Sequence, residues 1–370
     1  MAKILVLNYE FPPLGGGASQ VCFDIAQRYV MRGHEVDVVT MGFRGLPAYE
    51  ELAGMKVYRV KSWRKKQETC ETHEMFSYVV SAIRFIQKHL PIAQYEACHC
   101  HFLIPTGLVA RQLYRRYGLG YIVTAHGSDV PGYNPDRFTL EHHFTKPLIR
   151  QVCREAQAVT SPSLYLKKLL AQSIGYSNAV HIPNGIDLDE MGFDRTVPKE
   201  AMILSSGRLL ERKGFQTLIC AVRELSLPCE VHIAGDGPYR PQLEALAEGS
   251  RTKIVFHGWL EKGSPALKSL YERASIYVLA SSKENASVAL LEGMAAGCAV
   301  VSTKVSGCPE TVGDAGFLID YGDVNALREV LVRLCTDREL MWDYGESSYA
   351  RVAAQFSWEK HIDAYLKLLL

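Results

Sequence analysis

Two doubly wound α/β domains, each a parallel sheet covered by helices on both faces, are the fold this sequence predicts. Three observations carry that expectation. Short apolar runs alternate with helical stretches along the whole chain, the pattern left by parallel strands joined through crossover helices. Several of these runs end in glycine-bearing turns that open directly into a helix. The alternation pauses in a loop rich in Asp, Gly and Pro, and 370 residues leave room for a separate core on either side of it.

In the first half, strands are expected at Lys3–Leu7, Val36–Thr40, Lys56–Val60, Ala97–Cys100, Tyr121–Thr124, Ala158–Thr160 and Val180–Ile182. The second half supplies Met202–Ser205, Glu230–Ala234, Lys253–His257, Ile276–Leu279, Ala299–Ser302 and a weaker Phe317–Ile319. The pause follows His181-Ile182-Pro183-Asn184-Gly185-Ile186-Asp187 and runs to Pro198, which places the domains at 1–190 and 191–356. In the last segment Ser357 reads as an N-cap. Trp358, Ile362, Tyr365, Leu366 and Leu369 then fall on one stripe of an amphipathic helix over 357–370.

Composition narrows the class. Apolar residues make up 48% and the net charge is +1, which excludes a disordered chain and gives no global pull toward nucleic acid. Ten cysteines lack tight paired spacing, no secretory leader opens the chain, and no apolar run approaches the ~20 residues of a membrane span. A soluble cytoplasmic protein with reduced thiols is expected, able to rest on the inner face of a membrane.

The most informative chemistry lies in the second half. The run Ile276-Tyr277-Val278-Leu279 reads as a buried parallel strand, and Ala289 to Ala296 as a helix closed by Gly297. Glu284 therefore falls in the loop at a strand's carboxyl end, and Glu292 about two turns along the following helix. That edge is where open α/β sheets bind ligands. On the same edge, Ser205 to Gly214 delivers Gly207 and Arg208 at a strand end and Lys213 just before the next helix. An Arg fork and a Lys point charge suit a pyrophosphate, against the alternative of solvated surface charge. Ala234-Gly235-Asp236-Gly237-Pro238 makes a further turn there.

In the first half, the opening strand runs into Asn8 to Ser19, with Gly15, Gly16 and Gly17 ahead of a helix. Such glycines let backbone N–H groups approach a phosphate or an anionic substrate. The loop is not G-x-G-x-x-G and carries no P-loop Lys, which argues against an NAD-dependent dehydrogenase. His126 stands at the end of Tyr121–Thr124 beside Gly127, open to reading as a catalyst or as a satisfied structural histidine. Cys98-His99-Cys100-His101 resembles a metal site at first sight. Strand alternation, however, sends the cysteines to one face and the histidines to the other, and four ligands from one strand cannot close a tetrahedron. Finally, Lys56 to Lys66 holds six cations in eleven residues, with Tyr58 and Trp63 among them, a patch suited to anionic lipid or simply a solvated face.

Taken together these motifs resemble a known family. PPxGGGA, HCHF, AHGSD, PNGID, GRLxxRKG, AGDGP, FHGW and the E-x7-E pair, in this order over essentially the whole chain, are similar to the retaining glycosyltransferases of family four, with the GT-B architecture of two facing Rossmann-like domains. The resemblance implies that Arg208 and Lys213 grip the diphosphate of a UDP- or GDP-sugar and that Glu292 bonds the ribose. It implies that Glu284 holds sugar hydroxyls, with Gly17, Gly207 and the amides of Asn285, Ala286, Ser287 and Val288 completing the donor site. His126 is implied as a catalytic contact to the sugar, and Gly15, Gly16 and Asp129 as the acceptor side. No metal or other cofactor is implied, because cations and helix dipoles can neutralise the leaving diphosphate. The acceptor expected is a sugar or glycolipid hydroxyl in cell-envelope polysaccharide or glycolipid synthesis, and the last helix is implied to pack on the first domain. The chain departs from the family where Asn285-Ala286-Ser287 replaces a glycine-bounded loop, which bears on sugar preference. Alternatives within this reading are a sugar-nucleotide epimerase of the same fold and a catalytically silent sugar-nucleotide-binding subunit.

Overall fold

The computed structural model describes residues 1–67, 69–134 and 139–370, with backbone only over 139–143. The chain divides into two compact units, Met1–Pro183 with Glu359–Leu370, and Asn184–Trp358.

The first unit is built on strands β1 (Lys3–Leu7), β2 (Glu35–Met41), β3 (Tyr49–Leu52), β4 (Met55–Val60), β5 (Ala97–His101), β6 (Tyr121–Thr124), β7 (Ala158–Ser161) and β8 (Val180–His181). They lie in the order β3-β4-β2-β1-β5-β6-β7-β8, parallel throughout except for the β3–β4 pair. The second unit contains β9 (Glu200–Ser206), β10 (Glu230–Ala234), β11 (Ile254–Gly258), β12 (Ala274–Leu279), β13 (Ala299–Thr303) and β14 (Gly316–Ile319). Its order is β11-β10-β9-β12-β13-β14, all parallel. In each sheet the unit's first strand is central, and the chain winds first to one side and then to the other. Crevices therefore open at the carboxyl ends of β1 and β5, and of β9 and β12.

Period-two alternation packs both faces of the second sheet. Met202, Leu204, Tyr277 and Leu279 enter one buried cluster, while Ile203, Ile276 and Val278 enter the other. β3 is the strand the sequence did not announce. Tyr-Glu-Glu-Leu has too little apolar content to read as a strand, yet Ala53 and Gly54, both at positive φ, turn it back on β4 as an antiparallel edge hairpin.

The crossing between units comes at Pro183, ahead of the expected break at 190, because Ile186, Leu188, Met191 and Phe193 already pack in the second unit's core. Ile186 also pairs with Ser357, so the outgoing and returning segments run side by side. Trp358 stays with the second unit, seated where a Cβ on Gly185 would strike its ring. Only from Glu359 onward does the last helix join the first unit, where the Tyr365 ring lies 5.2 Å from that of His99.

Candidate functional site

The charged site of the second unit grows from the loops after β9 and β12. Leaving β9, the chain passes Gly207 at φ 138, where an added Cβ would meet nothing within 4 Å, so the loop has open space before it. Arg208 follows, half-buried and without a side-chain partner among the described residues. Gly214, at φ 73, must be glycine because a Cβ would run into the Ala280 carbonyl, and that close approach brings Lys213 to the β12 loop. There the Lys213 Nζ lies 2.5 Å from the Glu284 Oε1, which also accepts from the Ser281 hydroxyl at 2.8 Å. The Glu284 carbonyl accepts from the Gly307 N–H at 2.9 Å, tying this loop to the one after β13.

Asn285, Ala286 and Ser287 lead into the helix Val288–Ala295, with the Ser287 hydroxyl capping the Leu290 N–H at 3.3 Å. The Asn184 amide donates to the Ala286 carbonyl at 3.0 Å and braces the same turn. A capped helix N-terminus carries partial positive charge, favourable to an anion. Glu292 is the fifth residue of that helix, little more than one turn in and not the two turns expected, since five residues at ~3.6 per turn span no more than that. The residue is 8% exposed, and its carboxylate accepts from the Tyr271 hydroxyl at 3.0 Å. Lys262, from the loop after β11, stands 3.9 Å away.

In the first unit, the glycines after β1 divide the work. Gly15, at φ 95, passes so close to Glu10 that a Cβ would clash, whereas Gly16 and Gly17 face open space at the start of the helix Gly17–Met31. Three imidazoles line up at the ends of β5 and β6. His99 and His101 stack with centroids 4.3 Å apart, and the His101 Nδ1 lies 3.0 Å from the His126 Nε2. Burial holds His99 and His126 at about 3 and pushes His101 well below its ordinary value, so the row is neutral at physiological pH. A neutral imidazole offers one donor and one acceptor and no charge. Asp129 is buried, and its carboxylate accepts from the N–H groups of Leu103, His126 and Gly127 at 2.7, 3.0 and 2.9 Å. It clamps the loops after β5 and β6 together, a scaffolding task that differs from the acceptor-side contact expected of it. Burial raises its carboxyl pKa while those donors oppose the rise.

The basic run of 56–66 is only partly a surface. Arg59 is buried, 2.6 Å from Glu50 and donating to the Pro12 carbonyl. Arg64 is buried against Glu10 and donates to the backbone of Tyr9, Lys66 and Gln67. Lys56, Lys61, Lys65 and Lys66 remain exposed, as does Trp63 at 63%. Among the described residues no group of three or more His, Cys, Asp or Glu is placed to hold a metal ion, and no helix is long and apolar enough to cross a membrane. All ten cysteines are free thiols, Cys98 and Cys100 packing in the core.

Sequence reasoning missed Tyr271, Ser206 and Asn184. Tyr271 sits within the helix Pro265–Arg273 with no motif around it, and Ser206 ends a strand of ordinary composition. Asn184 lies inside the PNGID segment, which was legible as a motif although its bracing role was not.

Comparison with known proteins bears on the family and the fold. Residues 15–190 match the family model "Glycosyltransferase Family 4", and residues 200–337 match "Glycosyl transferases group 1". An uncharacterized glycosyltransferase of Methanocaldococcus jannaschii is 30% identical over 84% of this chain and 82% of its own. The GDP-mannose-dependent alpha-(1-6)-phosphatidylinositol monomannoside mannosyltransferase of Mycolicibacterium smegmatis is 28% identical over 90% of this chain and 89% of its own. Among solved structures, sucrose-phosphate synthase from Thermosynechococcus elongatus superposes with a TM-score of 0.83 at 20% identity, covering 100% of this chain and 98% of that one. With the fold, the motifs and the relatives in agreement, the chain belongs to the family-four, group 1 glycosyltransferases of GT-B fold.

Proposed function

We propose that this glycosyltransferase moves a hexosyl unit from a UDP- or GDP-sugar to an acceptor hydroxyl, with retention and without a metal ion. The observation that carries the reading is the group at the β9/β12 crevice. Lys213 is paired with Glu284, Arg208 lacks a side-chain partner among the described residues, and a capped helix N-terminus follows. Arg208 and Lys213 would grip the diphosphate, Glu292 the ribose hydroxyls, and Glu284 the sugar hydroxyls as Lys213 turns to the phosphate. The amides of Asn285 to Val288 complete this end, and Gly207 leaves room for the phosphate. His126, kept neutral, would hydrogen-bond the sugar, while Gly16 and Gly17 leave space for the acceptor.

The transfer breaks the bond between the anomeric carbon and the diphosphate oxygen and forms one to the acceptor oxygen on the same face. The acceptor proton passes to the departing diphosphate, so the products are a glycoside and a nucleoside diphosphate. Stabilising that leaving group falls to Arg208, Lys213 and the helix terminus.

The acceptor we favour is a lipid-linked or cell-envelope glycan. Support comes from the mannosyltransferase relative, from exposed Lys61, Lys65, Lys66 and Trp63 in one run, and from Phe76, 65% exposed on the helix that Trp63 meets at Ser77. A lipid surface with anionic headgroups suits such a patch at ~1 kcal/mol per basic residue. Reversing the charge of Lys61, Lys65 and Lys66 should weaken binding to anionic vesicles, and unchanged binding would remove the membrane proposal. For the transfer itself, the test is nucleoside diphosphate release from UDP- and GDP-hexoses with a glycolipid acceptor, in the presence of a chelator. Turnover of a sugar nucleotide without any acceptor would point to an epimerase, and binding without turnover to a silent subunit.

A further inference from the structure

We infer that Tyr271 is a positioning residue for the Glu292 carboxylate, the last member of a one-way hydroxyl relay that makes the site demand a ribose. The inference rests on the donor reading above. Beside Glu292, the Tyr271 hydroxyl lies 3.0 Å from Oε2, the Ser206 Oγ lies 2.7 Å from the Tyr271 hydroxyl, and the Tyr277 hydroxyl lies 3.0 Å from that Oγ. Each hydroxyl has one proton to give, and an ionised carboxylate can only accept. The Tyr271 proton therefore goes to Glu292. Its oxygen must then accept from Ser206, whose own oxygen accepts from Tyr277. Proton counting thus orients the whole chain toward the carboxylate.

Burial makes this arrangement stiff. Tyr271 is 2% exposed and Tyr277 fully buried, with their rings stacked 5.7 Å apart. Burial also pushes both phenols up, so neither loses its proton near neutral pH. Gly293 lets the helix press against β12, since a Cβ there would lie 2.5 Å from the Tyr277 ring. A carboxylate already fixed by a buried donor gives up little rotamer freedom when a ligand arrives. Moreover, Ser206 is the last residue of β9 and directly precedes Gly207 and Arg208, so the loop assigned to the diphosphate and the carboxylate assigned to the ribose share one hydrogen-bonded base.

The test is calorimetric titration of the wild type, Y271F, Y277F, S206A and E292Q with UDP and GDP, each against its 2′,3′-dideoxy form. The wild type should prefer the ribonucleotide by roughly tenfold or more, the worth of a hydrogen bond to a charged group. In Y271F that preference should fall to within about threefold, with Y277F in between. A purely structural role would weaken both nucleotides equally and leave the ratio intact, and that result overturns the inference. Should Y271F fail to fold, S206A, which removes the donor to Tyr271, carries the same comparison. Full preference retained in E292Q would instead overturn the ribose assignment itself, while loss in E292Q without loss in Y271F or S206A overturns only the relay. Failure of the wild type to bind either nucleotide overturns the donor reading and the relay with it.

Discussion

At the carboxyl edge of the second sheet the side chains of interest are ions: Arg208, Lys213, Glu284 and Glu292. At the corresponding edge of the first sheet they are three imidazoles held neutral by burial, with a carboxylate fully engaged by backbone N–H groups. The topology is nearly the same, yet the electrostatics are opposite in kind. Ions at a crevice need partners or water, which explains the Lys213–Glu284 pair and the relay under Glu292. Neutral rings can be buried outright, and they shape an edge without adding charge. The contrast teaches that the same doubly wound topology can present ions at its carboxyl edge in one unit and neutral rings in the other, with the difference made in the loops after each strand.

The sharpest way to break this comparison is to discharge the second edge. Lys213→Ala should lower transfer on the order of 10²–10³-fold, as loss of a preorganised group facing developing charge does, and nucleoside diphosphate release measures it. A loss below tenfold would mean that the charged edge does not hold the leaving group. Next, His126→Ala should cost about 10²-fold in kcat while leaving nucleoside diphosphate binding unchanged in titration. Equal damage to nucleotide binding would erase the division of labour between the edges.

The third prediction uses acid. His99 and His101 are neutral in the folded chain and protonate in the unfolded one near 6.5, so the unfolded state binds more protons below that pH. Stability contributed by these rings is full above about 6.5 and is lost as pH falls toward the folded value near 3. The loss approaches on the order of 1 kcal/mol per histidine per pH unit, and a melting series from pH 7 to 5 should reveal it. His99→Gln should flatten that slope, and an unchanged slope would contradict the neutral row. Smallest is Ser287→Ala, which removes a helix cap and should cost about 1 kcal/mol in chemical denaturation.

Much of this was legible in the residues. Ile276 to Leu279 could hardly be anything but a buried strand, and Gly297 marks its helix end at φ 73, so Glu284 and Glu292 could be placed before any coordinates. GRLxxRKG could be set on the same sheet edge for the same reason, since local backbone rules fix where a loop meets a strand. What escaped was set by contacts distant in sequence. Arg64 looked like surface charge because nothing near it announces Glu10, 3.6 Å away in space, or the backbone carbonyls it serves. Asp129 was given to the acceptor side by the resemblance alone, and nothing beside it in sequence reveals that the N–H groups of Leu103, His126 and Gly127 converge on it. Tyr271 carried no signal at all, since its meaning comes from Ser206 and Glu292 on other elements.

The return of the last helix also bears on how the protein is made. The second unit is one continuous stretch, Asn184–Trp358, whereas the first is completed only by Glu359–Leu370, with Ile362 and Tyr365 each 1% exposed. Domains generally fold in the order in which they leave the ribosome. Here the half that emerges first has to wait for residues 359–370, its Tyr365 seat beside His99 open through the whole synthesis of the other half. The first unit is thus begun before the second and completed after it, and a nascent chain stalled before residue 359 would expose apolar surface that the folded protein keeps buried.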